Sequence, residues 1–173
     1  MRKILVIGSG GAGKSTFAKR LSEETGIEVI HLDRIYWRAG WTQPPKDEWR
    51  KTVENLLKGK EWIMDGNFGG TMEMRLAACD AAIFLDLPRH VCLYRILKRR
   101  LTYRNTNRPD MTEGCHEKID FKFLKWIWDY PKKNKPAVEA KLKLFEKEKT
   151  IIRLKSNAEV EDFLAKLQAK ENC

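Results

Sequence analysis

Short apolar runs alternate with amphipathic stretches along the whole chain, the rhythm of a parallel sheet whose strands are joined by helices. Ile4–Ile7 is a wholly apolar strand. From Lys14 to Thr25 the apolar residues Phe17, Ala18 and Leu21 fall on one helical face, with Gly26 as the stop. Ile27–Leu32 reads as a second strand. Residues 34 to 45, with Tyr36, Trp37, Arg38 and Trp41, are too irregular in pattern for a regular element. A helix over Lys46–Lys58 then carries Trp49, Val53, Leu56 and Leu57 at helical spacing, and Trp62–Gly66 is a third strand. A short helix bears Arg75. Ala82–Leu87, stopped by Pro88, is the fourth strand, and Arg89–Tyr103 is a helix. Residues 104 to 118 have turn formers (Asn105, Asn107, Pro109, Asp110, Gly114) and no apolar period, which predicts a flap. Phe121–Trp128 restarts a helix, Pro131 and Pro136 are expected to interrupt it, and Ala137–Lys147 resumes it. Thr150–Leu154 is the fifth strand. Ser156-Asn157 then caps a last helix with Val160, Phe163, Leu164 and Leu167 inward. The fold expected is a single α/β domain over residues 1–173, a three-layer sandwich around a five-stranded parallel sheet.

The first strand runs straight into Gly8-Ser9-Gly10-Gly11-Ala12-Gly13-Lys14-Ser15-Thr16, which satisfies the P-loop spacing G-x-x-x-x-G-K-[ST] between a strand and a helix. Glycines at these positions let successive backbone N–H groups turn inward around a phosphate, and the helix that follows adds the positive end of its dipole. Residues Gly8 to Thr16 are therefore the candidate ATP-binding loop. Lys14, expected to face solvent in the free protein, would reach the β- and γ-phosphates. The Ser15 hydroxyl is the candidate ligand for a Mg²⁺ that keeps most of its waters, and Thr16 packs or caps.

Other candidates fall where strands end, which is the edge at which open parallel sheets bind ligands. The second strand delivers His31 and Asp33 there, and Asp33 is either a site carboxylate or a cap for the next turn. Arg34 and Trp37 follow in a loop suited to forming a lip. Its aromatic residues either stack on a flat ring or bury against helices. The third strand ends in Asp65-Gly66, placing a carboxylate where it would hold a Mg²⁺-bound water. Asn67, the Gly69-Gly70 turn and Arg75 are candidate contacts to an acceptor substrate, although a structural turn alone also explains the glycines.

Composition narrows the partners more than the fold. With 173 residues, 42% of them hydrophobic, the chain can bury a core without metal or disulfide. Cys79, Cys92, Cys115 and Cys173 form no C-x-x-C, and the adjacent Cys115-His116 lacks a second ligand pair. No run is long enough for a signal peptide or a membrane span, so a cytoplasmic protein is expected. Lysine and arginine exceed the acids by 34 to 24, and the resulting +10 suits a phosphate-bearing partner. Arg95, Lys98, Arg99, Arg100, Arg104 and Arg108 concentrate that charge in one stretch, a candidate lid over about residues 95–120.

With its P-loop on the first strand and an arginine-rich helix before a flap, the chain resembles the nucleoside monophosphate kinase-like group of P-loop proteins, which includes adenylate and shikimate kinases. The set His31-Leu32-Asp33, Tyr36-Trp37, Gly40-Trp41, Asp65 to Thr71, Arg108 to Met111, Glu113-Gly114 and Trp126 to Trp128 is more closely similar to the DNA topology modulation protein family, over nearly the whole chain. That name describes a genetic effect, whereas the motifs are those of a small kinase. The resemblance implies that Asp65-Gly66 corresponds to the Asp-Gly of adenylate kinases and that Arg95 and Arg99 correspond to their lid-helix arginines. It also implies that Ser156-Asn157-Ala158 borders adenine, making Asn157 a cofactor contact. Gly69 stands where adenylate kinases carry an arginine, and the Gly69-Gly70 pair is closer to shikimate kinase, whose acceptor-contacting aspartate corresponds to Asp33.

These readings predict an ATP- and Mg²⁺-dependent phosphotransferase acting on a small-molecule or nucleotide acceptor, with Lys14, Asp33, Arg95 and Arg99 as its catalytic groups. The alternative is a nucleotide-regulated DNA-binding protein. The charge permits it, but the sequence has no helix-turn-helix signal. A GTPase is disfavoured because Asn134-Lys135-Pro136-Ala137 lacks a guanine-reading aspartate, and a motor ATPase because neither Asp65 nor Asp86 precedes a glutamate.

Overall fold

In the computed structural model, which describes residues 1–102 and 120–171, strand β1 (Lys3–Gly8) lies at the middle of a five-stranded parallel sheet. The order is β2 (Val29–His31), β3 (Trp62–Asp65), β1, β4 (Ala81–Leu85) and β5 (Thr150–Leu154). Parallel neighbours require crossovers, and helices supply every one of them. The helices divide between the two faces. Helix α1 (Lys14–Thr25), α5 (Arg89–Thr102), α6 (Phe121–Lys133) and α8 (Asn157–Glu171) pack on the side reached by Ile4 and Val6. On the opposite side, reached by Leu5 and Ile7, are α3 (Lys46–Leu56), α4 (Met72–Ala78) and α7 (Lys135–Phe145). Because successive strand residues point to opposite faces, β1 feeds both cores, and its Leu5, Val6 and Ile7 are fully buried.

The register fixes what reaches the carboxyl edge. Val6 is opposite Asp65 and Ile83, and His31 is opposite Asp65, so β2, β3 and β1 end nearly level. The P-loop, the residues after β2 and the residues after β3 therefore emerge side by side.

Three expectations about elements need correction. The stretch after β2 is not irregular throughout: Leu32–Tyr36 forms a short helix, α2, because Leu32 is buried and anchors it. A 3₁₀ turn follows at Ala39–Trp41. The second is Pro131, which does not end a helix. It lies within α6, which continues to Lys133, whereas Pro136 sits in the first turn of α7, where a missing N–H costs nothing. Finally, Trp62–Asp65 is shorter than the strand expected, because Gly66 adopts φ 135° and turns the chain. The expected flap, with Arg104, Arg108, Asp110, Glu113 and the Cys115-His116 pair, lies outside the described residues, as does Cys173. Among the described residues no helix is long and apolar enough to cross a membrane.

Candidate active site

The loop joining β1 to α1 wraps the helix N-terminus. Ala12 N–H donates to the Ser9 carbonyl at 3.2 Å, and Gly11 and Gly13 hold φ of 76° and 91°. Gly11 is required by its backbone and by its surroundings, and Gly13 chiefly by its backbone. Both conformations are left-handed, and a Cβ on Gly11 would run into the Cys92 carbonyl of α5, while one on Gly13 would come within 2.9 Å of Arg95 Nη1. No side chain caps α1 and no acid sits in its first turn. The orphan N–H groups of that turn are thus left to an anion.

Lys14 is folded onto its own loop rather than facing solvent as expected from the sequence. Its Nζ donates to the carbonyls of Gly8 at 3.1 Å and Ser9 at 3.0 Å. Burial lowers its pKa, and the carboxylates of Asp33 and Asp65 act against that shift.

A cleft of about 1300 Å³ opens over this loop. Gly10 to Thr16 form its floor. On the side of β4 the wall is cationic and comes from α5 and α8, with Arg95, Lys98, Arg99 and Asn157. Arg95 bridges two of these parts, donating through Nη1 to the Ala12 carbonyl at 2.9 Å and through Nη2 to Asn157 Oδ1 at 2.8 Å. Phe123 and Trp126 of α6 also line the cleft, their rings stacked 10° from parallel. On the side of β2 the wall consists of His31, Asp33, Trp37, Trp41, Gln43, Asn67 and Phe68.

Several predicted acceptor contacts sit elsewhere. Arg75 is fully buried behind the wall, where its guanidinium donates to the carbonyls of Gly66 at 2.8 Å, Phe68 at 3.0 Å and Thr71 at 3.3 Å, and also to that of Asn67. Burial lowers its pKa to about 9. It holds the loop after β3 instead of touching a ligand. Gly69 and Gly70 form a 3₁₀ turn off the cleft wall, and the Gly69 carbonyl accepts from Lys141 Nζ at 2.9 Å. Arg34 is exposed and lies off the wall, because the helical turn of α2 brings Asp33 and Trp37, four residues apart, onto the cleft side instead.

Asn67 lines the cleft, but its Oδ1 accepts the Gly8 N–H at 3.0 Å, which ties the loop after β3 to the base of the P-loop. Asp65 is only 4% exposed and is not on the wall; its Oδ1 lies 2.9 Å from His31 Nδ1. The parallel register that sets His31 beside Asp65 accounts for the pairing.

Sequence reasoning missed His31 as the partner of Asp65, Gln43 and Phe68 as wall residues, and Phe123 over Gly10. Only Phe123 left a signal. It belongs to the apolar stripe of α6 with Ile127 and Tyr130, and a Cβ on Gly10 would meet its ring at 2.8 Å. Two non-glycine residues among those described have positive φ, Trp41 at 63° and Phe68 at 29°, and both line the cleft. Such conformations cost on the order of 1–3 kcal/mol each.

Residues 4–63, from β1 into β3, match the model of an AAA domain family. An adenylate kinase of Thermotoga neapolitana is 30% identical over 108 residues, covering 61% of this chain and 48% of that protein, so the chain spans about half the length of this relative. Among solved structures, shikimate kinase from Acinetobacter baumannii in complex with shikimate superposes with a TM-score of 0.62 at 19% identity, over 99% of this chain and 94% of that one. Deoxyadenosine kinase from M. mycoides superposes with a TM-score of 0.52 at 16% identity, over 98% and 97%. The chain therefore has the P-loop kinase fold. These matches do not confirm the DNA topology modulation name.

Proposed function

We propose that this chain is an ATP-dependent phosphotransferase that moves the γ-phosphoryl group of Mg-ATP to a hydroxyl of a small acceptor. One observation carries this reading: the uncapped α1 N-terminus with its glycine loop shares a single cleft with Asp33, which extends from the end of a neighbouring strand. The phosphate floor and a carboxylate suited to the acceptor hydroxyl thus face the same space. The kinase names of the relatives and neighbours support the same reading. The DNA-binding alternative gains no support from them.

In this reading the amides of Gly10 to Thr16 cradle the β- and γ-phosphates, and Lys14 exchanges its two loop carbonyls for phosphate oxygens. Arg99 and Arg95 neutralise charge on the transferring group, and Arg95 also fixes the end of the loop through Ala12. Asn157, on the adjoining α8 turn, borders the adenine. Asp33 accepts the proton of the acceptor hydroxyl as its oxygen bonds to the γ-phosphorus. The bond from that phosphorus to the β–γ bridging oxygen breaks, ADP leaves, and Asp33 returns the proton to solvent.

Ser15 and Asp33 line the cleft and Asp65 lies behind its wall beside His31, a donor set that fits a cation retaining several waters. Ser15, with Asp65 acting through water, would hold Mg²⁺, which would supply positive charge to offset that of the transferring phosphates.

A screen of nucleosides, nucleotides and small hydroxylated metabolites for acceptor-stimulated ADP release from Mg-ATP tests the reading. Stimulation by at least one acceptor, lost in Lys14→Ala, is the expected result. ADP release that no acceptor changes would contradict it.

A further inference from the structure

The β2 side of the cleft is walled by aromatic rings that form one continuous surface. Trp37 and Trp41 meet at 5.3 Å between centroids and 67° between planes. Behind them Tyr36, itself off the cleft wall, touches Trp37 at 5.0 Å and Phe68 at 4.7 Å. Trp37, Trp41 and Phe68 each present part of a ring to the cleft that also holds Asp33.

Phe68 and Tyr36 also pack on the buried Trp49, at 5.0 and 4.9 Å between centroids, but that packing does not account for the backbone of the wall residues. Trp41 and Phe68 hold their rings at the cleft from left-handed backbone conformations that a bulky residue avoids. Such strain persists only where the surroundings over-determine it, and it concentrates at ligand clamps. At Phe68 the restraint is visible: Arg75 is bonded to the carbonyls of Asn67 and Phe68.

We infer that the acceptor is a nucleoside, a flat heteroaromatic ring stacked on Trp37 and Phe68 with a sugar hydroxyl at Asp33. This rests on the phosphotransferase reading and gives it a substrate class. Aromatic faces favour a planar π-system over a saturated polyol, and Gln43 on the same wall supplies an amide suited to a base edge. Among the described residues of this side, Arg75 is engaged with backbone carbonyls, Arg38 is paired with Glu48 and Arg34 lies off the wall, which favours a nucleoside over its monophosphate.

The test is calorimetric titration of the full chain, its ATP site saturated with a nonhydrolysable Mg-ATP analogue, with purine and pyrimidine nucleosides, their 5′-monophosphates and a saturated cyclic triol. At least one nucleoside should bind tenfold or more tightly than its monophosphate and the triol. Trp37→Leu and Phe68→Leu should each weaken it at least tenfold, and Trp37→Phe, which keeps an aromatic face, should restore most of the loss. Thermal melts identify a variant that has not folded, in which case Trp41→Leu replaces it. Tighter binding of the triol or the monophosphate, or unchanged nucleoside affinity in the folded leucine variants, would overturn the inference. ADP release stimulated by the triol but by no nucleoside would overturn it while leaving the phosphotransferase reading intact. Nucleoside binding without transfer would leave the clamp standing and remove the phosphotransferase.

Discussion

His31 Nδ1 lies 2.9 Å from Asp65 Oδ1 at the carboxyl edge of the sheet, where the two residues are direct partners in the β2–β3 register. The imidazole lines the cleft and the carboxylate lies buried beneath it. Removing the ring leaves a buried carboxylate without this partner. His31→Ala should cost about 1–3 kcal/mol in urea denaturation, while Asp65→Asn, which keeps an oxygen toward the ring, should cost less.

Arg75 supports the loop after β3 from behind. Replacing it with Met leaves carbonyls of that loop buried without a donor, a loss of about 3 kcal/mol or more in a denaturant titration. Arg75→Lys should recover only part of this, since an ammonium cannot span carbonyls from Gly66 to Thr71 as a planar fork does.

The sheet was legible in the sequence because each strand is a short apolar run bounded by glycine, proline or charge, and because the P-loop places the first of them. The carboxylates at its edge followed from strand ends. Side-chain direction did not. Arg75 reads as a ligand contact because arginine is rarely buried, and nothing in its own sequence reveals the carbonyls folded around it. The α2 helix escaped notice because five residues hold little more than one turn, too few for a period to show. Pro131 reads as a break because proline usually is one, and here packing of Ile127 and Tyr130 into the core keeps the helix continuous around it.

Lys14 gives a pH signature. Burial holds its pKa below 10.5 in the free protein, and bound phosphates favour the ammonium and raise it again. Between the lowered value and 10.5, Mg-ATP binding should therefore take up a fraction of a proton; well below both it should take up none. In the same window the folded state binds fewer protons than the unfolded, so this group adds stability as pH rises. Calorimetry in buffers of different ionisation enthalpy measures the uptake, which should vanish in Lys14→Met.

Arg95 and Asn157 should act on ATP as a unit. Arg95→Ala frees the Ala12 carbonyl and Asn157 together, so it should weaken ATP binding by about tenfold, and adding Asn157→Ala should weaken it little further. A coupling of at least about 0.5 kcal/mol in the double-mutant cycle is expected. Additive losses would show that the two residues meet the nucleotide separately.

Asp33 separates chemistry from nucleotide binding. Asp33→Asn should lower turnover by about 10²-fold or more with little change in ATP affinity, since the lost carboxylate serves the acceptor.

The most direct measurement follows the label from γ-³²P ATP with the wild type, Lys14→Ala and Asp33→Asn in the presence of a nucleoside panel. The account predicts labelled phosphate esterified to an acceptor, abolished in Lys14→Ala and reduced about a hundredfold or more in Asp33→Asn. Label appearing only as inorganic phosphate, at a rate the acceptors do not alter, would contradict it.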